Sequence, residues 1–246
     1  MSGRKGRRLG WLFAALLVAG VVLGLALRAR EEIRPSGPRP ELALFTSLPI
    51  VMGEAADVRT MLASPPPPHW AKAVIEARAR LVPVDTLIQA PPASVMVMAQ
   101  PRPLAAEENV SLDRWVRSGG RLLLFADPLS TWESVFPVGD KRRPQDVALL
   151  SPILARWGLE LRFDEDQPPG LRDLAGLPVN LPGALAPRPG GFESACTIGE
   201  GGLVADCAIG KGRALIVADV AILEPGDNEP AGRKALETLL DRLGVR

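Results

Sequence analysis

The chain has no tyrosine, a single histidine (His69), two cysteines (Cys196 and Cys207) and no surplus of either charge, with 29 basic residues against 28 acidic. Each shortage excludes something. Balanced charge gives no overall field for nucleic acid. A Cys-His nucleophile needs a cysteine on a tight strand-to-helix elbow with a histidine nearby, yet Cys196 in ESACTI and Cys207 in VADCAI are both strand-like. His69 follows four prolines and precedes Trp70, which reads as a packing or surface histidine at a helix start. No G-x-S-x-G occurs, and Gly210-Lys211-Gly212 is a hairpin turn without P-loop or dinucleotide-binding spacing. Asp164-Glu165-Asp166 is the densest acidic cluster, but adjacent residues of an extended chain point to opposite faces, so a solvated turn is expected rather than a metal site. Lys141-Arg142-Arg143 could meet phosphate or anionic lipid and reads as a solvated loop. No catalytic, cofactor-binding or metal-ligating residue is predicted, and no cofactor.

What the chain does have is apolar runs. Residues 9–27, LGWLFAALLVAGVVLGLAL, are uncharged throughout. At about 1.5 Å per residue such a helix spans roughly 28 Å, close to the hydrocarbon thickness of a bilayer. Arg4, Lys5, Arg7 and Arg8 precede it, which favours a cytoplasmic N-terminus with the rest of the chain outside. A cleaved signal peptide is the alternative, with Gly24-Leu25-Ala26 as its small-x-small site, although the run exceeds the usual length. The expected organisation is a basic cytoplasmic start (1–8), a transmembrane helix (9–27), a proline-rich stalk (28–40) and an extracytoplasmic α/β domain (41–246). Gly20 and Gly24 have the spacing that permits close helix approach.

The stretch 112–128, LDRWVRSGGRLLLFADP, organises the globular part. Leu112, Trp115 and Val116 share one helix face, and Glu107 and Glu108 near the start with Arg114 and Arg117 in the last turn suit the macrodipole. Gly119 fits a left-handed C′ position. The apolar runs 94–99 and 121–126 read as strands covered on both faces, making with this helix a parallel β-α-β unit. Further strands are predicted at 42–46, 82–87, 159–163 and 213–219. Helices are predicted at 70–81, at 146–157 broken by Pro152, and at 231–243, with a short one somewhere in 52–64. Residues 127–143 read as a loop, and 164–191 as irregular. The fold class is α/β, a mostly parallel sheet flanked by helices with a late β-hairpin.

Gly201-Gly202 marks that hairpin. Centred there, its register pairs Glu200 with Leu203, Ile198 with Ala205 and Cys196 with Cys207. Directly opposed residues lie within disulfide reach, so a bond is feasible and an oxidising compartment would keep it. The alternative is two small apolar residues in a hairpin. Asp127 and Asp219 fall at the carboxyl ends of predicted parallel strands, where open α/β sheets bind ligands, and are weak candidates for ligand contact. Asp127 precedes Pro128, which suits a plain turn role better.

The pieces SVMVMAQPRPL, SLDRWVRSGGRLLLFADP, GKGRALIVADVAIL and AGRKALETLLDRLG, taken together, resemble the auxiliary extracytoplasmic domain of ABC-type transport systems, the group that includes the gliding-motility auxiliary subunit. The likeness covers roughly 41–130 and 208–246. It implies a flavodoxin-like fold of the class I glutamine-amidotransferase type, tethered to the membrane. Where family members often continue the last strand with a second acid, this chain has Asp219-Val220-Ala221. The expected function is a non-catalytic, single-pass inner-membrane auxiliary component, its domain periplasmic, docking on an ABC permease and ATPase and not on nucleic acid. The alternative is an envelope module that binds a glycan or small metabolite, or a degenerate hydrolase on the same fold.

Overall fold

The computed structural model describes residues 39–245 apart from residue 92. The predicted basic start, the transmembrane helix 9–27 and all but the end of the stalk lie outside the described residues.

The β-α-β unit is present as read. Strands β3 (Val95–Ala99) and β4 (Arg121–Phe125) pair in parallel, Val95 beside Arg121 and Ala99 beside Phe125. Helix α3 (Ala106–Arg117) connects them. Apart from Arg121 at the start of β4, apolar side chains at every position bury both strands on both faces, which a parallel sheet between helices requires. At the start of α3 the Glu108 carboxylate accepts the Ala105 and Leu87 amides at 2.9 and 3.0 Å. It also pairs with Arg102 at 2.8 Å, and that guanidinium holds the Glu108 pKa down to about 2. The helix ends on Gly119 at φ 121°. A Cβ on the next residue, Gly120, would meet the Trp115 ring at 2.6 Å, so the chain can return to β4 only with glycine there. The Trp115 indole donates to the Ala93 carbonyl at 3.2 Å.

Around this unit stands a seven-stranded sheet in the order β2-β1-β3-β4-β11-β10-β9. Strands β1 (Glu41–Thr46), β2 (Arg80–Pro83), β3, β4 and β11 (Gly212–Val217) run parallel. Strands β9 (Ser194–Gly199) and β10 (Val204–Ile209) continue it antiparallel. This is a mixed α/β fold with a mostly parallel central sheet. Helix α2 (Trp70–Glu76) packs beside α5 (Glu229–Arg242), where Arg78 meets Asp241 at 2.7 Å. Helix α3 packs beside α4 (Ser151–Arg156), where the Trp157 indole donates to Asp113 at 2.9 Å.

The β9–β10 hairpin keeps the predicted register, Ile198 opposite Ala205 and Cys196 opposite Cys207, and the two cysteines form a disulfide. The turn is longer than two residues: Glu200–Gly202 make one 3-10 turn, and Leu203 donates to Glu200 across it at 3.1 Å.

Several predicted elements change. The helix expected over 70–81 stops at Glu76, because the Arg80 amide bonds the Pro40 carbonyl and residues 80–83 pair with β1. Pro152 does not break a helix over 146–157; it sits in the first turn of α4, where its missing N–H costs nothing. The predicted strand 159–163 forms as β5 (Leu159–Arg162), outside the main sheet, paired with β8 (Ala184–Pro187). The stretch read as irregular also holds a small hairpin, β6 (Arg172–Leu174) with β7 (Leu177–Val179). A short helix α1 (Val58–Ala63) lies where one was expected.

Candidate functional site

Parallel strands deliver their following loops to one edge of the sheet, and that edge divides into two unlike halves. Over β4 and β11 it is closed. Asp127 and Asp219 both sit there at 0% exposure. Asp127 accepts the amides of Leu129 (2.8 Å) and Val220 (3.1 Å), and Asp219 those of Ala221 (2.6 Å) and Asn180 (2.8 Å). The fully buried Val179 and the Asn180–Thr131–Glu224 hydrogen-bond chain lie over them. Burial pushes the Asp127 carboxyl up to about 7. Burial, and then the neighbouring Asp127 charge, raise Asp219 well above the carboxylate range. Both acids of this predicted pair thus hold turns in place, and neither presents an oxygen to solvent.

The strand-to-helix elbow is present after β3, but it carries no nucleophile. Gln100 occupies it at φ 43° and 0% exposure. Its side-chain amide donates to the Asp127 carbonyl at 3.1 Å and accepts the Asp127 amide at 3.0 Å, tying the ends of β3 and β4 together. Cys196 and Cys207 lie in β9 and β10, away from this loop edge in sequence and bonded to each other. Asp164 caps its own turn by accepting the Asp166 amide.

The other half is open. A cleft of about 560 Å³ is bounded by the loops after β1, β4 and β11 and by the starts of α2 and α5. The four prolines before His69 have no N–H to donate to a helix or ladder, and residues 65–69 carry no regular secondary structure up to the helix start. There the His69 amide donates to the Ile50 carbonyl at 3.3 Å. Gly53 allows the loop after β1 to press on that proline run: a Cβ would lie 2.8 Å from the Pro67 carbonyl oxygen. The walls are Trp70, Trp132 and prolines, and the His69 ring lies 5.0 Å from Trp70 and 5.5 Å from Trp132. The charged groups are Glu54, Glu133, Glu229 and Arg233.

The electrostatics are lopsided. Arg233 is neutralised by Glu229 at 2.7 Å and lies 5.3 Å from the Trp70 ring. Glu54 is held by the Ser134 hydroxyl and the Val135 amide, at 2.9 and 2.8 Å, which orient it without cancelling its charge. Glu133 is exposed, and neither it nor Glu54 has an ion-pair partner among the described residues. Burial holds the His69 pKa down to about 4, so the ring is neutral near pH 7. Nδ1 accepts the Ala71 amide at 3.2 Å, which places the ring proton on Nε2. That Nε2 and the Trp70 indole nitrogen are buried without a protein partner. The cleft therefore combines aromatic walls with two uncompensated carboxylates. Sequence reasoning found His69 and Trp70 only as packing residues and missed Glu54, Trp132 and Glu133, which come from separate loops.

No family model and no curated protein matches this chain. Solved structures do resemble it. An exo-β-1,4-mannosidase from Opitutaceae bacterium strain TAV5 is 14% identical at a TM-score of 0.48, over 89% of this chain and 38% of that one. A GH42 β-galactosidase from G. stearothermophilus is 13% identical at 0.46, over 85% of this chain and 31% of that one. A cytoplasmic protein from Salmonella typhimurium is 10% identical at 0.42, over 82% of this chain and 98% of that one. The chain thus spans 38% of one glycosidase and 31% of the other, and likenesses this distant assign it neither activity nor substrate.

The expected function is corrected at this point. The similar structures named above are glycosidases and a cytoplasmic protein, and none of these is a transport auxiliary. No helix among the described residues is long and apolar enough to cross a membrane. The reading as a docking auxiliary of an ABC-type transport system is withdrawn; the anchor predicted at 9–27, and the localisation read from it, lie outside the described residues. The quoted pieces that suggested it encode strands, helices and turns that any parallel α/β domain needs.

Proposed function

We propose that this domain is a binding module for a small organic cation, taken up without chemistry in the cleft between Trp70, Trp132 and the three glutamates. The observation that carries it is the pairing of aromatic walls with uncompensated carboxylates. Indole faces attract ammonium groups by about 0.5–2 kcal/mol, more when water is excluded. Carboxylates at the rim add long-range attraction. A neutral His69 adds no positive charge to that wall, and the Arg233 guanidinium beside Trp70 is paired with Glu229, which leaves Trp132 with Glu54 and Glu133 as the freer part of the site. Gln100 at the elbow supports binding without catalysis. The strand order supports a flavodoxin-like, amidotransferase-like arrangement, in which ligands meet the carboxyl ends of the strands. The Cys196–Cys207 disulfide supports an oxidising compartment.

Calorimetric titration of the full-length protein with choline and with its uncharged isostere 3,3-dimethylbutan-1-ol tests the reading. Choline is expected to bind, and the alcohol at least tenfold more weakly. Glu133→Gln changes an exposed side chain, so stability should hold while choline affinity falls about three- to tenfold. Equal binding of the two probes, or of neither, overturns the proposal.

A further inference from the structure

A second cleft, of about 280 Å³, adjoins the first; Pro49, Gly53 and Glu54 border both. Its chemistry is different. Met52, Met61, Ala55 and Phe136 form its apolar lining. The polar groups that reach it are already engaged. Asp57 caps α1 by accepting the Thr60 amide at 2.8 Å. Arg142 pairs with Asp140 at 2.7 Å and lies 4.2 Å from the Phe136 ring. Ser47 donates to the Gln100 carbonyl and accepts the Gln145 amide. Apolar surface is what remains for an incoming group. Met52 is 54% exposed although it belongs to this lining, and its neighbour Val51 is also exposed. Methionine side chains are unbranched and polarizable, and they accommodate flexible apolar chains better than branched ones do.

From this adjacency we infer that the two clefts are one binding groove, and that the ligand is an amphiphilic cation. Its ammonium head lies between Trp70, Trp132 and the glutamates, and an unbranched alkyl chain runs past Gly53 onto Met52, Met61 and Phe136. The inference rests on the cation reading above and adds the chain. A small hydrophilic amine would leave the second cleft unused, and an apolar ligand without charge would leave Glu54 and Glu133 uncompensated. Glu54, on the shared border, faces the point where head and chain join.

The experiment is a chain-length series on the full-length protein: tetramethylammonium, then ethyl-, butyl- and hexyltrimethylammonium, titrated by calorimetry. Each methylene buried on the methionines should tighten binding roughly two- to fourfold. Met61→Gln and Met52→Gln should flatten that slope and leave tetramethylammonium affinity within twofold of wild type. Because Met52 is largely exposed, its variant keeps the test valid should Met61→Gln fail to fold. The two readings fail separately. If tetramethylammonium binds but affinity does not rise with chain length, the shared groove is wrong and the cation cleft stands. The groove is equally wrong if the slope survives both methionine changes. Absence of tetramethylammonium and choline binding removes the cation cleft itself.

Discussion

The two halves of the carboxyl edge are built from the same kind of strand end and reach opposite outcomes. Over β4 and β11, aspartates at the strand ends are covered by β7 and Asn180 and spend every oxygen on backbone amides. On the other half, glutamates from the loops stay at the rim beside tryptophan, with charge left over. A carboxylate at a strand end is thus not in itself a binding group. Whether it faces a ligand depends on whether a later segment of the chain comes down on top of it, and here the insertion between α4 and β9 does so on one side only.

The largest effect is expected where the closed half is broken. Asp219→Ala leaves the Asn180 and Ala221 amides without their acceptor, and should cost about 2–4 kcal/mol in urea unfolding. Choline affinity should survive wherever the variant remains folded. Next comes the disulfide that ties the last two strands on the same side of the sheet. It closes a loop of 11 residues in sequence separation. Its removal in Cys196→Ser/Cys207→Ser should lower stability by roughly 2–3 kcal/mol, measured against the oxidised protein.

The acids of the two halves should also separate by pH. A carboxyl whose folded pKa lies above its unfolded value binds its proton more tightly when folded. Its contribution is therefore present at low pH and is lost as pH rises from the unfolded value of 3.8 to about 7 for Asp127. Glu108, held down to about 2 by Arg102, does the reverse and loses its contribution as pH falls from 4.5. Stability should therefore peak near pH ~4–5 and decline towards neutrality. Asp127→Asn should make the neutral limb shallower and leave the acid limb unchanged, the remaining slope belonging to the buried Asp219, as read by unfolding curves at each pH. The smallest effect belongs to the open half: Glu133→Gln should change stability by less than about 0.5 kcal/mol, as an exposed residue without a partner.

The parts legible in the sequence were those whose signal is local and strong. The double-sided apolar runs of β3 and β4, the Gly119-Gly120 exit from α3 and the Cys196–Cys207 register were all readable from neighbouring residues. The end of α2 was not, because residues 77–81 keep a helical spacing and only pairing with β1 pulls residue 80 into a strand. Strands β6, β7 and β8 have three or four residues each, and prolines at 178 and 187 disguise two of them. Missing them hid the cover over Asp127 and Asp219, which is why those two read as ligand candidates. The open cleft was illegible for a different reason. Glu54, His69, Trp132 and Glu229 are far apart in sequence, and each alone is an ordinary loop or helix-start residue. Only the sheet order brings them to one place.

The most direct test of the difference between the halves is a ¹H–¹⁵N NMR titration of the full-length protein with choline, followed at indole and backbone amides. Shifts are expected at the Trp132 indole and the His69 amide, while the Asn180 and Ala221 amides stay fixed. Shifts at Asn180 and Ala221, with Trp132 unmoved, would show that the closed half is the binding half and contradict the account.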